Sequence, residues 1–321
     1  MGVQHNKVYG DELFKVEEAL NFLLPGRIPQ EESIRLKNMG FIQNKGTDKF
    51  NCNVISRSGI ITAEELEIIT GIAYEYGNGQ VALTGGSTVE ITGIPYRCIA
   101  AVVECCEANG IEIGGMGAKV RPVVSCQGDL CRFGVVSDAH KLAEKIQGLF
   151  YNRLQDEELP NKFEIAISFC PSDCFGANTY DLGIVGISIP KLELNHCKGC
   201  KKCSVERFCP SGAAKVEDGT LKISQSQCDY CGLCVNRCPF GVVKENMKAF
   251  RVYIGGNRGK LTRKGYSFKK LIVTEEALLS VIDRLIYLFK TEGEPGEWFS
   301  DTVDRLGAEK LEERVLAKVL Q

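Results

Sequence analysis

The sequence predicts an α+β protein with a cysteine-rich module inserted in its second half. Three observations predict it. Residues 50–120 read as strand–helix–strand–strand–helix, a second set of strands and long helices follows, and two matching runs of four cysteines lie between Cys197 and Cys238.

The elements follow from local signals. Residues 11–24 (DELFKVEEALNFLL) have the apolar spacing of a short amphipathic helix, stopped at Pro25-Gly26, and a polar loop is expected to about Lys49. Thr62 and Glu65 form a capping box that opens a helix over Ala63–Tyr76, closed by Gly77 and Gly79. Gln80–Thr84 and Thr88–Thr92 read as strands around Gly85-Gly86. Pro95 suits the first position of a helix over Tyr96–Ala108, which Gly110 ends. Asp138–Leu154 is a further helix. Phe163–Ser168 and Gly183–Ser188 are strand-like, joined by a loop that carries cysteines. Phe250–Ile254 is a strand that turns at Gly255-Gly256. Thr274–Lys290 and Asp301–Leu320 are helical, the last as a surface helix packing one apolar stripe. Pro190–His196 and Glu245–Ala249 bracket the cysteine-rich insert.

Composition narrows the classes. The 321 residues suffice for two or three structural units, 44% are hydrophobic and 25% charged, and the net charge is −2. Nothing in that balance argues for nucleic acid or an anionic membrane surface. Apolar stretches such as Leu278–Phe289 are broken by Asp283 and Arg284 and fall short of the roughly 20 residues that span a bilayer. Met1–Asp11 has no apolar signal core, so a cytoplasmic location is expected. The anomaly is cysteine, at 16 residues. Length, absent signal and C-x2-C spacing point to metal in a reducing compartment rather than to disulfides.

Cys228-x2-Cys231-x2-Cys234-x3-Cys238-Pro239 is the spacing of a bacterial ferredoxin. Cys197-x2-Cys200-x2-Cys203-x5-Cys209-Pro210 repeats it with a longer final loop. In such pairs the fourth cysteine of each run ligates the other cluster. Cys197, Cys200, Cys203 and Cys238 are therefore expected on one [4Fe–4S] cluster, and Cys228, Cys231, Cys234 and Cys209 on the second. Such a module moves single electrons and does no bond chemistry itself. Cys126-x4-Cys131 and Cys170-x3-Cys174 form a third tetrad that spacing alone leaves open between zinc, a cluster and no metal. Cys52, Cys98, Cys105 and Cys106 are expected as small packed thiols. No P-loop, GxGxxG or Ser/His/Asp set appears, so direct hydride transfer from a nicotinamide is not expected.

The segments LTGGSTVEITGIP (83–95), VRPVVSCQGDLCRFG (120–134), LPNKFEIAISFCPSDCFGANTYDLGIVG (159–186), FRVYIGG (250–256) and GEWFSDTVDRLG (296–307) resemble the siroheme-dependent sulfite and nitrite reductases, most of all their small single-repeat type. The resemblance implies a ferredoxin-like half domain over 50–120 behind an N-terminal segment 1–49. It implies a siroheme/[4Fe–4S] domain from 121–190 and 248–321, interrupted by the ferredoxin module at 191–247. It implies that Cys126, Cys131, Cys170 and Cys174 hold a third [4Fe–4S] cluster and that Cys174 bridges it to siroheme. Electrons would enter at the 197–238 module, pass to that cluster and reach a small anion, sulfite or nitrite, held by Arg121 and Lys162. Siroheme carries several carboxylates, for which Arg57, Lys119, Arg132, Arg258, Lys260 and Arg263 are candidates.

The sequence departs from the family at the anion site. Gly86 stands where the family has an arginine of T-x-R, Glu164 replaces the second lysine of K-F-K, and Trp298 replaces an arginine. Sulfite reduction needs positive charge and proton donors. Three readings stay open: a reductase subunit, a non-catalytic electron-transfer member of a split-site complex, or a reductase of a different small molecule. A single-repeat chain is expected to pair with a second copy or a homologous subunit, and to take electrons from a donor protein or a flavin/NAD subunit.

Overall fold

A computed structural model describes residues 28–85, 88–131, 138–154, 157–259 and 262–317. The helix expected over 11–24 lies outside these residues. The chain divides into two compact units, Met1–Gly117 and Ala118–Gln321.

The first unit holds helix α1 (Gln30–Asn38), strands β1 (Phe41–Gln43) and β2 (Lys49–Val54), helix α2 (Ala63–Tyr76), strands β3 (Val81–Leu83) and β4 (Val89–Pro95), and helix α3 (Ile99–Ala108). Its antiparallel sheet runs β1-β2-β4-β3. The helices cover a core of Phe41, Phe50, Ile69, Ile91, Ile94 and Val102. The capping box is complete: the Glu65 N–H donates to Thr62 Oγ1 at 3.1 Å, and the Thr62 N–H to Glu65 Oε2 at 2.7 Å.

Two expectations change here. The polar loop before Lys49 contains α1 and β1. Of α1, only Leu36 is fully buried, so its sequence carries little apolar signal. Its polar residues are nevertheless engaged, with Arg35 paired to Glu32 at 2.7 Å and the Tyr96 hydroxyl donating to Glu32 at 2.9 Å. Pro95 ends β4 instead of opening a helix, and a 3-10 turn (Tyr96–Cys98) leads into α3.

The second unit is built on a five-stranded sheet of order β11-β10-β7-β6-β5. β5 (Val124–Ser125), β6 (Ile165–Ser168) and β7 (Leu182–Leu192) are parallel neighbours. β10 (Val243–Ile254) lies antiparallel to β7 and to β11 (Tyr266–Ser267). Between β5 and β6 runs α4 (Ala139–Ile146), which continues through a π turn (Gln147–Tyr151) into the helical turn Asn152–Leu154. Helix α5 (Ser204–Phe208) belongs to the inserted module. After β11 come α6 (Glu275–Glu292), α7 (Phe299–Leu306) and α8 (Ala308–Leu316). Phe163, Phe289 and Phe299 pack at the centre of this core, with ring centroids 4.9–5.9 Å apart. The helix expected over Asp301–Leu320 is two helices broken at Gly307, whose φ of +85° favours glycine.

The strands flanking the insert are longer than their sequence pattern suggested. β7 and β10 pair from Leu182↔Ile254 to Leu192↔Val243, with a bulge between Glu245 and Met247. The segments expected only to bracket the module therefore include the arms of this ribbon. The Glu193 N–H donates to the Val242 carbonyl at 2.8 Å and closes its far end. Beyond it, α5 and the hairpin of β8 (Ala214–Glu217) and β9 (Thr220–Ile223) enclose a small core of Val205, Ala214, Leu221, Val242 and Val243. Among the described residues no helix is long and apolar enough to cross a membrane.

Thr62→Ala removes one half of the capping box and is expected to cost about 1 kcal/mol. Phe163→Ala empties the aromatic centre of the second unit and is expected to cost about 3–5 kcal/mol. Guanidinium unfolding of each variant measures both.

Candidate iron–sulfur site

Parallel pairing brings Cys126 and Cys170 of the third tetrad to one end of the sheet, with Cys174 close by. Ser125 of β5 is in register with Ile167 of β6, and the Cys126 N–H continues the ladder to the Ile167 carbonyl at 2.9 Å. Cys126 and Cys170 thus leave the sheet at the same, carboxyl-terminal end of adjacent strands, where open α/β sheets place their ligands. The Phe169 N–H donates to Cys126 Sγ at 3.3 Å. Burial pushes the Cys126 thiol up, that N–H opposes it, and the neighbouring Cys170 and Cys174 push it further. Cys170 is buried, Cys126 and Cys131 are half-buried, and Cys174 is exposed.

The loop between Cys170 and Cys174 is held by a residue that sequence reasoning passed over. Asp173, at φ +39°, accepts from the Ser168 hydroxyl at 2.5 Å and from the N–H groups of Ala177 and Asn178 at 2.8 and 3.2 Å. Its own N–H reaches the Cys170 carbonyl at 3.1 Å. The P-S-D-C string was the available signal, since a short carboxylate in a tight loop commonly caps its own backbone. Gly183 lets β7 press against this loop. A Cβ there would lie 2.3 Å from the Ala177 carbonyl oxygen.

The ferredoxin-type runs converge as well. Cys209, Cys228, Cys231 and Cys234 line one cavity together with Pro190 and Tyr230, the set expected from crossed ligation. Burial, then Cys231 and Cys228, push the Cys234 thiol up to about 11, and Cys209 adds to it. Cys209 moves the other way: against the effect of burial, the Ala214 N–H and the Ser211 hydroxyl hold it below the ordinary thiol value. Cys197, Cys203 and Cys238 pack around the module's small core, the Leu221 N–H donating to Cys197 Sγ at 3.4 Å, while Cys200 is exposed. N–H donors on thiolate sulfur are what tune an iron–sulfur centre. Among the described residues no three Cys, His, Asp or Glu side chains stand close enough to share one metal ion. Thiolates that each hold a separate corner of a cubane do not need that closeness. The all-thiolate donor sets, with N–H groups on sulfur, fit iron–sulfur clusters.

The ribbon ties the module to the same end of the sheet. Ser168 of β6 pairs with Val185 of β7, and β7 runs on in the same direction. Just beyond, the Ser188 N–H donates to the Tyr230 carbonyl at 2.8 Å, and Ser188 bridges Cys231. The Cys228–Cys234 run therefore stands beside the end where Cys126 and Cys170 emerge.

Arg121 and Lys162 lie at the opposite end. Arg121 precedes β5, its N–H donating to the Phe163 carbonyl at 2.9 Å, and Lys162 precedes β6. From Lys162 to Ser168 an extended strand covers about 20 Å. These cations thus lie at the strand ends opposite those where Cys126 and Cys170 emerge. Lys162 instead pairs with Glu164 at 2.6 Å and lies 5.4 Å from the centre of the Trp298 ring. Burial lowers the Arg121 pKa, opposed by Glu164, Tyr151 and Asp181. Asp181 is a second residue that sequence reasoning missed. It is 6% exposed and accepts from the Glu164 N–H at 2.9 Å. Burial, then Glu164, raise its carboxyl to about 7, against that N–H, Lys162 and Arg121.

The candidate carboxylate-binding residues separate. Arg258 lies over Tyr180, 4.6 Å from its ring, and donates to its hydroxyl; Tyr180 in turn stacks on Phe175, the residue after Cys174. Arg263 commits its guanidinium to Asp304 at 2.7 Å and to the carbonyls of Gly255 and Ser300. Lys119 belongs to the Arg121 end, where its carbonyl accepts from the Phe163 N–H at 3.0 Å. Arg57, in the first unit, pairs with Glu65 at 2.7 Å. Arg132, Lys260 and Gly86 lie outside the described residues.

Thiolate tetrads mounted on this sheet define an iron–sulfur oxidoreductase. The model of the nitrite and sulphite reductase 4Fe-4S domain matches residues 116–321, and that of the nitrite/sulfite reductase ferredoxin-like half domain matches residues 42–108. The chain belongs to the nitrite and sulphite reductase family. It is 30% identical over 255 residues to coenzyme F420-dependent sulfite reductase of Methanocaldococcus jannaschii, covering 78% of this chain and 40% of that protein. It is 29% identical over 285 residues to a subunit of the anaerobic sulfite reductase of Salmonella typhimurium, covering 81% of each. In fold it resembles dissimilatory sulfite reductase I, with a TM-score of 0.67 at 20% identity over 84% of this chain and 69% of the other. The chain thus spans less than half of the F420-dependent relative.

Asp173→Ala is expected to loosen the Cys170–Cys174 loop and lower iron content relative to the wild type, as read by iron analysis of the anaerobic protein. Asp181 binds its proton more tightly folded than unfolded, so its contribution to stability falls as pH rises from about 4 to about 7 and is flat above. Asp181→Asn keeps the acceptor for the Glu164 N–H and is expected to flatten that slope in denaturation measured across the window.

Proposed function

We propose that this chain is the siroheme-binding subunit of a sulfite- or nitrite-reducing complex and carries three [4Fe–4S] clusters. One observation carries the reading: Cys126 and Cys170 emerge at one end of β5 and β6, with Cys174 exposed beside Phe175, which stacks on the Tyr180 that Arg258 covers. The names of the relatives support sulfite as substrate, and the names of the family models support sulfite or nitrite.

When bound, the clusters supply electrons singly and siroheme supplies the iron at which the anion is reduced. The chain's own residues do the rest. Cys126, Cys131, Cys170 and Cys174 would hold the inner cluster, with the exposed Cys174 as the ligand shared with siroheme. Arg258, on its aromatic shelf, pairs with a tetrapyrrole carboxylate. The two ferredoxin-type tetrads stand in line behind them along the β7–β10 ribbon.

Arg121 and Lys162 would orient and protonate an anion bound to a neighbouring subunit, because about 20 Å of strand separates Lys162 from Ser168, at the end where Cys126 and Cys170 emerge. That separation favours a complete site only in an assembly, a dimer of this chain or a pair with a homologous subunit. A donor protein or flavin/NAD subunit feeds the module.

Iron and tetrapyrrole analysis of the anaerobically purified protein tests the proposal. Twelve irons per chain are expected from three clusters of four, and a Soret and long-wavelength band from the tetrapyrrole. Absence of the tetrapyrrole bands would remove the siroheme assignment. Cys174→Ser should leave the ferredoxin-type clusters reducible while slowing haem reduction. Unchanged haem reduction in that variant would rule out the bridge.

A further inference from the structure

We infer that the face around Cys200 is the docking surface for an acidic one-electron carrier protein. The inference rests on the reading of residues 197–238 as a cluster-bearing module. Of the twelve cysteines in the three tetrads, only Cys174 and Cys200 are exposed. Cys174 faces the tetrapyrrole side in the proposed function, which leaves Cys200 as the other exposed ligand residue.

The surroundings of Cys200 are basic on a chain whose net charge is −2. Lys198, Lys201 and Lys202 flank it and are exposed, as are Arg207 on α5 and Arg237 beside Cys238. Fold contacts bring them together. The Ser204 hydroxyl donates to the Arg237 carbonyl at 2.8 Å, and the Arg237 guanidinium lies over Phe208, 4.9 Å from the ring centre. Phe208 and Phe240 are themselves 51% and 47% exposed. Among the described residues, Lys198, Lys201, Lys202, Arg207 and Arg237 form no salt bridge, whereas elsewhere lysines such as Lys244 and Lys290 are paired.

Acidic groups near this face do not cancel it. Glu206 is on α5, and the β8–β9 turn brings Glu217 and Asp218, both already engaged by Lys222. Gly199 seats the lysine loop against that turn: at φ +56° its missing Cβ would lie 2.4 Å from the Gly219 carbonyl oxygen. A basic rim around exposed aromatics is the complement of an acidic partner, since opposite fields steer encounter and apolar contact closes it. The carrier gives one electron to the Cys197/Cys200/Cys203/Cys238 cluster and is itself oxidised by one; no proton or bond moves.

The test uses the full-length, anaerobically purified protein and a reduced acidic bacterial ferredoxin as probe. Binding is measured by calorimetry at low and high salt, beside bleaching of the visible cluster band by dithionite. Lys201→Glu with Arg207→Glu is expected to weaken ferredoxin binding about tenfold and to abolish most of its salt dependence. Lys310→Glu, on the remote helix α8, should leave binding unchanged. Bleaching by dithionite and the iron content should be the same in all three proteins, the unchanged iron content showing that the module has folded around its clusters. Intact bleaching with unchanged ferredoxin binding in the double variant overturns the docking face alone. Tighter binding of double-stranded DNA than of ferredoxin would also overturn it. Absence of bleaching in the wild-type protein overturns the cluster reading and the electron-entry role with it.

Discussion

The parallel register of β5, β6 and β7 is the constraint on which the second unit depends. Pairing Ser125 with Ile167 and Ser168 with Val185 fixes where three separate segments of sequence leave the sheet. At one end emerge Cys126, Cys170 and the ribbon that meets Tyr230. At the other lie Arg121, Lys162, Glu164 and Asp181. A slip of one residue in any strand would turn its side chains to the opposite face, so the fully buried strand β6, with Ile165, Ala166 and Ile167 at 0% exposure, fixes the cysteine end along with the core.

The two ends differ in their electrostatics. The cysteine end and the module beyond it carry thiols that accept from backbone N–H donors: Phe169 on Cys126, Leu221 on Cys197, Ala214 on Cys209. The cation end is self-compensated. Lys162 is matched by Glu164, and the Asp181 carboxylate holds the Glu164 N–H, its own pKa raised by burial and by Glu164. Glu164, which departs from the family pattern in sequence, is no idle surface change. It is the direct partner of one of the two cations that do match.

Much of this was legible in the sequence where signals were local. The Thr62/Glu65 box marked α2, and the C-x2-C runs marked the module, because both depend on residues a few positions apart. The crossed set Cys209, Cys228, Cys231 and Cys234 could be written down before the cavity that collects it was seen. Other features were hidden for physical reasons. Helix α1 buries a single leucine, so no apolar period announces it. β7 and β10 extend well past their apolar stretches because they pair with each other, a tertiary fact that neither strand encodes alone. The placement of Arg121 and Lys162 opposite Cys126 and Cys170 was invisible because closeness in sequence, Lys162 to Cys170, translates into distance along an extended strand. Asp173 was missed for the opposite reason: its work is done within a few residues, in a loop whose cysteines drew the attention.

The ribbon of β7 and β10 has a mechanical consequence. A module hung on a flexible tether would sample many positions and exchange electrons with the sheet only at chance approaches. Here two hydrogen-bonded strands, clamped at Glu193 and Val242 and again at Ser188 and Tyr230, act as a stiff bracket. In the proposed electron path, that bracket would make the hop between one redox centre and the next a matter of fixed span rather than of diffusion.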